Sequence, residues 1–426
     1  MHAPTSPPLP PAFIRLAWSN LAAQSAEQIG LAAAPLVAVL ALGAGAGETG
    51  LLQAAQTLPF LLLSLPAGML ADRSSRRRLM AAAEILRALS LLAILALAAL
   101  GLLSLPLLAL LGFVGATGTV AYSVAAPSLV PALVPRAALV RANGRIELAR
   151  TAAFAAGPAL AGTLVAWTGA APSFAFAAGL SLAAGLLFVS LPEPPRPAPA
   201  PRHVLDEIKE GGGFVLGHSL LLPIFLTQLV FNTAFFVLQA VYVPYAVHRL
   251  GLSAAAVGAT LSVYGIGMVA GALMAPRINA ALPFGLVIVI GPVVGLAASI
   301  VMALTIWFPS AVLAAISFFL IGIGPIIWVI STTTLRQSVT PPGLLGRVSA
   351  IFMMATGARP LGAAIGALVG SLYGMETCLI VATAGFLLQA VVILTSPVLR
   401  LARQPDAEAD GRVKSSPALM GATPAD

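Results

Sequence analysis

The chain has 426 residues, 59% of them hydrophobic and only 8% charged, with a mean hydropathy of +1.00. No water-soluble domain of this size carries that much apolar surface, so the composition requires a membrane protein with many spans. The formal net charge of +8 does not indicate nucleic acid, because the basic residues lie between apolar runs, where cytoplasmic loops need them.

A helix needs about 20 apolar residues to cross a hydrocarbon core of about 30 Å. Twelve segments qualify: 13–42, 50–71, 79–101, 104–127, 146–168, 170–192, 219–246, 253–275, 282–306, 309–333, 348–373 and 375–396. The first follows MHAPTSPPLPPAF, which has no basic leader, and is too long for a cleaved signal, so it is expected to remain as a span. The loops after segments 2, 4, 6, 8 and 10 hold Arg73, Arg76 to Arg78, Arg136, Arg141, Arg145, Arg196, Arg202, Lys209, Arg277, Arg336 and Arg347. Those after the odd-numbered segments hold only Arg249. This asymmetry predicts both termini in the cytoplasm.

Between segments 6 and 7 the composition turns proline-rich and charged (LPEPPRPAPAPRHVLDEIKEGGG), with LDEIKEG able to form a short surface helix. The expected organisation is a cytoplasmic segment 1–12, a six-helix bundle 13–192, a linker 193–218, a second six-helix bundle 219–396 and a disordered cytoplasmic tail 397–426. An internal repeat supports the division. Arg145 precedes Pro158, and Arg347 precedes Pro360, by the same spacing at the fifth segment of each half, and GMLADR from Gly68 has an echo in GALMAPR from Gly271. Duplicated halves suit a transporter whose binding site lies at their interface.

With these residues in place, the chain resembles the major facilitator superfamily. The loop with Gly68, Asp72, Arg73, Arg76 and Arg77 is similar to that family's signature G-x-L-A-D-R-x-G-R-R, departing at Ser75. GPALAG, with Gly157, Pro158 and Gly162, resembles part of the motif of drug-export members. The runs PSLVPALVPRAALVRANGRIE, LDEIKEGGGFVLGHSLL and LLGRVSAIF are similar to the branch of enterobactin and macrolide exporters. The resemblance implies an all-α rocker-switch fold in the bacterial inner membrane and proton-coupled efflux. It also implies that Asp72 latches onto the helix that begins after Thr340-Pro341-Pro342-Gly343, where the helix dipole favours a carboxylate.

Charges inside the spans carry the functional reading, since an ionisable group at mid-membrane needs a partner or a wet cavity. Glu27, flanked by Gln24 and Gln28 on one helical face, is expected to exchange a proton in a central chamber; the alternative is a glutamate buried among amides. Arg359, just before Pro360, is expected to hold an anionic substrate group or to pair with Glu27, against the alternative of snorkelling to a helix end. Glu84 with Arg87, and Glu147 with Arg150, are three apart and should neutralise each other. Segment 7 is polar along Gln228, Asn232, Gln239 and Tyr242, with Phe225, Phe235 and Phe236 beside them, and is expected either to line an aqueous cavity or to make helix–helix hydrogen bonds. Gly362, Gly366 and Gly370 form a stripe suited to close packing.

Gly45-Ala46-Gly47-Glu48-Thr49-Gly50 fits G-x-G-x-x-G but follows no strand, so it is no dinucleotide fingerprint. The absence of G-x-x-x-x-G-K-[ST] removes ATP as direct energy source. One cysteine, Cys378, excludes an intramolecular disulfide, and the four histidines lack ligand spacing. No metal, cofactor or enzyme site is expected. The partners expected are a small-molecule substrate, protons and the lipid bilayer, with the chain as a monomer. Lysophospholipid flipping, solute uptake and a non-transporting sensor or scaffold are the competing readings.

Overall fold

The computed structural model describes residues 9–134, 138–192, 204–341 and 344–405. Helix dominates, and no strand occurs among the described residues. The elements are α1 (Pro11–Leu42), α2 (Ala46–Arg73), α3 (Arg76–Ala99), α4 (Leu105–Leu133), α5 (Leu139–Thr168), α6 (Ala170–Val189), α7 (Val204–Gly217), α8 (Leu221–His248), α9 (Ala254–Ala281), α10 (Phe284–Leu304), α11 (Ala311–Val339), α12 (Leu345–Met354), α13 (Ala358–Tyr373) and α14 (Met375–Leu394). Helix is the required solution in hydrocarbon, where no water satisfies a backbone N–H or C=O. Eleven segments among the described residues are long and apolar enough to span, with α12 and α13 counted together.

The helices pack in two groups. In the first, α1 lies against α5 and α6, α3 against α4 and α6, and α2 against α4; in the second, α11 lies against α9 and α10, and α8 against α13 and α14. The main contacts between groups are α5 on α9 and α2 on α13. In each case the fifth span of one group crosses the second span of the other, so the two contacts interchange when the groups are swapped. The turns repeat as well: α5–α6 and α13–α14 are each joined by one glycine, Gly169 at φ +80° and Gly374 at φ +88°. A side chain at that left-handed φ would be strained, which accounts for glycine at both.

The crossings are built from backbone. A Cβ on Gly162 would strike Ala254 O and lie 2.9 Å from Gly258 Cα, while a Cβ on Gly50 would lie 2.6 Å from Ala367 Cα and N. Gly47 approaches Ser371 in the same way. The glycines of the false dinucleotide motif therefore serve helix packing. Ser262 Oγ accepts a hydrogen bond of 2.8 Å from Ala159 N across α5 and α9. The Gly47 and Gly50 approaches lie where α2 starts and α13 ends, and the Gly162–Gly258 approach lies towards the end of α5 and the start of α9, while Gly265 meets Ala155 nearer the middle of both helices. On the sidedness the loop charges predict, the Gly47, Gly50 and Gly162 approaches lie towards the external end.

Three expectations change. Residues 397–405 are not disordered: Val398 is wholly buried, and Leu401 O accepts a hydrogen bond of 2.8 Å from Gly285 N at the start of α10, an amide with no partner inside its own helix. Residues 406–426 lie outside the described residues. The linker's helix runs on to Gly217 and docks on α12, where a Cβ on Gly211 would lie 2.9 Å from Arg347 Cβ and Arg347 pairs with Glu210 at 2.5 Å. The eleventh segment is interrupted by a 3-10 turn at Ala355–Gly357, just ahead of Pro360. Arg249, the exception to the loop-charge asymmetry, is met by Glu376 at 2.9 Å.

Candidate functional site

Inside the first group lies a polar network on α1, α3, α4 and α6. Arg87 Nη1 donates to both carboxylate oxygens of Glu84 at 2.7 and 2.9 Å and to Ala23 O at 3.2 Å, while Nη2 donates to Thr119 Oγ1 at 2.7 Å. Ser181 Oγ donates to Glu84 Oε2 at 3.0 Å. Glu84 and Arg87 are buried, and these hydrogen bonds give both side chains polar partners away from water. Nearby, Tyr122 donates its hydroxyl proton to Asn20, whose amide donates to Ile146 O at 3.3 Å.

Glu27 sits at the margin of this network. Its Oε2 is 3.9 Å from Arg87 Nη2, and its side chain keeps 16% of its surface exposed. The other charges whose fields reach it are Glu84, Arg359 and Arg150. Gln24 is half-buried beside it. Gln28 departs from the expected shared face: it is buried in the α1–α5 contact, where a Cβ on Gly157 would come 2.5 Å from Gln28 Cβ. Gly157, Pro158 and Gly162 are thus the residues that let α5 lie close to α1 and α9.

The second group presents Arg359 from α13. Its Nε donates to Asn232 Oδ1 at 3.2 Å, and its guanidinium carbon lies 5.4 Å from the Phe60 ring centre on α2 and 5.5 Å from that of Phe236 on α8. Asn232 also donates to Gln228 O at 2.9 Å, and Gln228 Nε2 donates to Phe352 O at 3.1 Å, next to the interrupted turn. Gln239 is half-buried and makes no hydrogen bond among the described residues. Of the two alternatives for Tyr242, the geometry here is a helix–helix hydrogen bond: the side chain is wholly buried in the core of the second group, bonded to Thr260 Oγ1 at 2.5 Å and set edge-on to Phe318. A tyrosine with an internal partner has no need of a wet face. Gly362, Gly366 and Gly370 lie against α8, as close packing requires.

Glu147 and Arg150 pair as expected, partly exposed, with Arg150 5.5 Å from the Phe154 ring centre. Arg359 does not pair with Glu27. Of the loop signature, the surroundings of Gly68 and the side chains of Asp72 and Arg73 lie outside what is described, as do Pro342 and Gly343, so the latch expectation falls outside it too. Arg76 and Arg77 open α3, with Arg77 donating to Leu191 O at 2.9 Å.

One residue of the interface has no counterpart in the sequence reading. Tyr264 on α9 stacks on Phe235 with ring centres 5.8 Å apart and lies within reach of the charges of Arg150 and Arg359. Its signal was an aromatic hydroxyl in mid-span, in a stretch whose other residues are mostly small.

Residues 16–359 match the family model described as Major Facilitator Superfamily. The chain belongs to the major facilitator superfamily. It is similar to the enterobactin exporter EntS of Citrobacter koseri, at 30% identity over 290 residues covering 66% of this chain and 67% of that protein. It is also similar to the multidrug efflux pump Tap of Mycobacterium tuberculosis, at 26% identity over 243 residues covering 55% of this chain and 58% of Tap. Among solved structures, the nucleoside transporter NupG superposes with a TM-score of 0.72 at 13% identity, covering 90% of this chain and 98% of that one. A bacterial homologue of the iron transporter ferroportin in the inward-facing state gives 0.71 at 17% identity, covering 90% and 98%. At such identities the structures speak for the fold alone. This major facilitator superfamily member is a multi-pass transporter of the inner membrane, with Arg359 of its second helix group set between rings from both groups.

Proposed function

We propose that the protein is a secondary exporter of amphipathic small molecules, working by alternating access and proton antiport with Glu27 as the exchanging carboxylate. The observation that carries this reading is the position of Glu27: a mid-span acid, partly exposed, whose nearest cation already serves Glu84. Such a group can take up and release a proton without dismantling the buried pair behind it. The similarity to EntS, an enterobactin exporter, and to Tap, a multidrug efflux pump, favours export.

The proposed frame has twelve spans with both termini cytoplasmic, α2 supplying the span beyond the eleven. The groups seal at the external end through glycine contacts, and Asp72 acts as a latch at the cytoplasmic end. The test is efflux in everted vesicles across macrolides, dyes and catechol siderophores, with and without an imposed pH gradient. Wild type should move at least one class in a gradient-dependent manner and Glu27→Gln should not; gradient-dependent export by Glu27→Gln overturns the assignment.

A further inference from the structure

The charges between the helix groups do not cancel evenly. Glu84 cancels Arg87 and Glu147 cancels Arg150, leaving Glu27 on the first group and Arg359 on the second as opposite charges without a dedicated partner. Among the described residues no carboxylate comes within 4.0 Å of Arg359, and its one hydrogen bond is Nε to Asn232. Its terminal nitrogens Nη1 and Nη2 make no bond, yet neither is among the buried atoms that lack a partner, so each keeps some accessible surface. Phe60 and Phe236 flank the guanidinium from different groups, and Asn232 fixes its Nε side.

A guanidinium held by one edge beside two rings, with two donors left unbonded and accessible, suits one chemistry above others. It presents a fork that matches the two oxygens of a carboxylate, with aromatic surface beside it for an apolar body. We infer that Arg359 is the carboxylate-recognition site of the chamber, and that the substrates it selects are zwitterionic amphipaths: a carboxylate on Arg359, an aromatic body against Phe60 and Phe236, and an amine towards Glu27. This rests on the exporter reading and narrows its substrate class. An amine at Glu27 competes with the proton there, as antiport requires, while the carboxylate on Arg359 leaves that competition undisturbed. A substrate with only an anionic group would favour the protonated chamber and oppose antiport.

The test uses an aromatic zwitterion, a fluoroquinolone, and its methyl ester, which keeps the amine and the rings but removes the carboxylate charge. Equilibrium binding to the purified full-length protein in detergent should favour the acid over the ester by about tenfold, the scale of a charge-assisted pair. Arg359→Gln should bind acid and ester alike, and Arg359→Lys should keep part of the preference, having the charge without the fork. Equal binding by wild type, no binding of either probe, or an unchanged preference in Arg359→Gln overturns the inference. If Arg359→Gln fails to fold, as judged by gel filtration and thermal midpoint, the wild-type ratio and Arg359→Lys decide it. Binding needs no gradient, so the two readings fail separately. Loss of the ratio with Glu27-dependent export intact overturns this inference alone. An intact ratio without gradient-driven export overturns the coupling alone.

Discussion

Glu27 stands 3.9 Å from Arg87, a guanidinium whose Nη1 already lies within 2.7 and 2.9 Å of the two oxygens of Glu84. The short contacts fix the pair and the long one leaves Glu27 adjustable. Replacing Glu27 by glutamine should therefore remove coupling and spare the fold: gradient-driven export in vesicles should fall at least about tenfold, while the thermal midpoint in detergent stays within a few degrees. A large fall in midpoint would make Glu27 a structural residue.

The opposite result is expected for Arg87→Leu. Removing it strands the buried Glu84 carboxylate, a loss on the order of 3–5 kcal/mol. Expression and thermal midpoint should both drop sharply. The double variant Glu84→Gln with Arg87→Gln should regain much of the midpoint, since neither partner is then a lone buried charge. A single variant as stable as wild type would contradict this arrangement.

The proposed external seal can be tested by cross-linking. A Cβ on Gly47 lies 2.9 Å from Ser371 Cβ, and a disulfide spans about 3.8 Å between Cβ atoms, so a small separation admits one. In a Cys378→Ser background, Gly47→Cys with Ser371→Cys should form a disulfide on oxidation, stop turnover and recover with reductant. Undiminished transport by the cross-linked protein would mean that this end need not open.

The strap helix α7 gives a contrast between charge and shape. Glu210→Gln removes a largely exposed carboxylate from its pair with Arg347 and should change stability by under about 1 kcal/mol. Gly211→Val instead drives side-chain atoms into the Arg347 backbone. It should release α7 and raise its amide hydrogen exchange, leaving exchange in α9 and α10 as in wild type.

Much of this architecture was legible because one solvent imposes one rule: in hydrocarbon a long apolar run has to be helix, and loop arginines mark the sides. The pairs Glu84–Arg87 and Glu147–Arg150 followed from helical spacing alone, as did the packing of Gly362, Gly366 and Gly370. Contacts between distant segments were not legible. Helical spacing puts Gln28 and Glu27 on neighbouring faces, but only the approach of Gly157 decides that Gln28 is enclosed. For Tyr242 the sequence leaves pore lining and helix–helix bonding open, because its partner Thr260 lies on another helix. Arg359 was recognised as special from its position beside Pro360, yet Phe60, which faces it, belongs to the other half of the chain.

The crossings at Gly162 with Gly258 and at Gly50 with Ala367 join the halves by main chain pressed on main chain. A bearing of that kind has few rotamers to reset, so under the alternating access proposed above the halves could turn on one another with little side-chain rearrangement. The same bareness makes these positions intolerant: a single added methyl would meet the facing backbone and wedge the crossing.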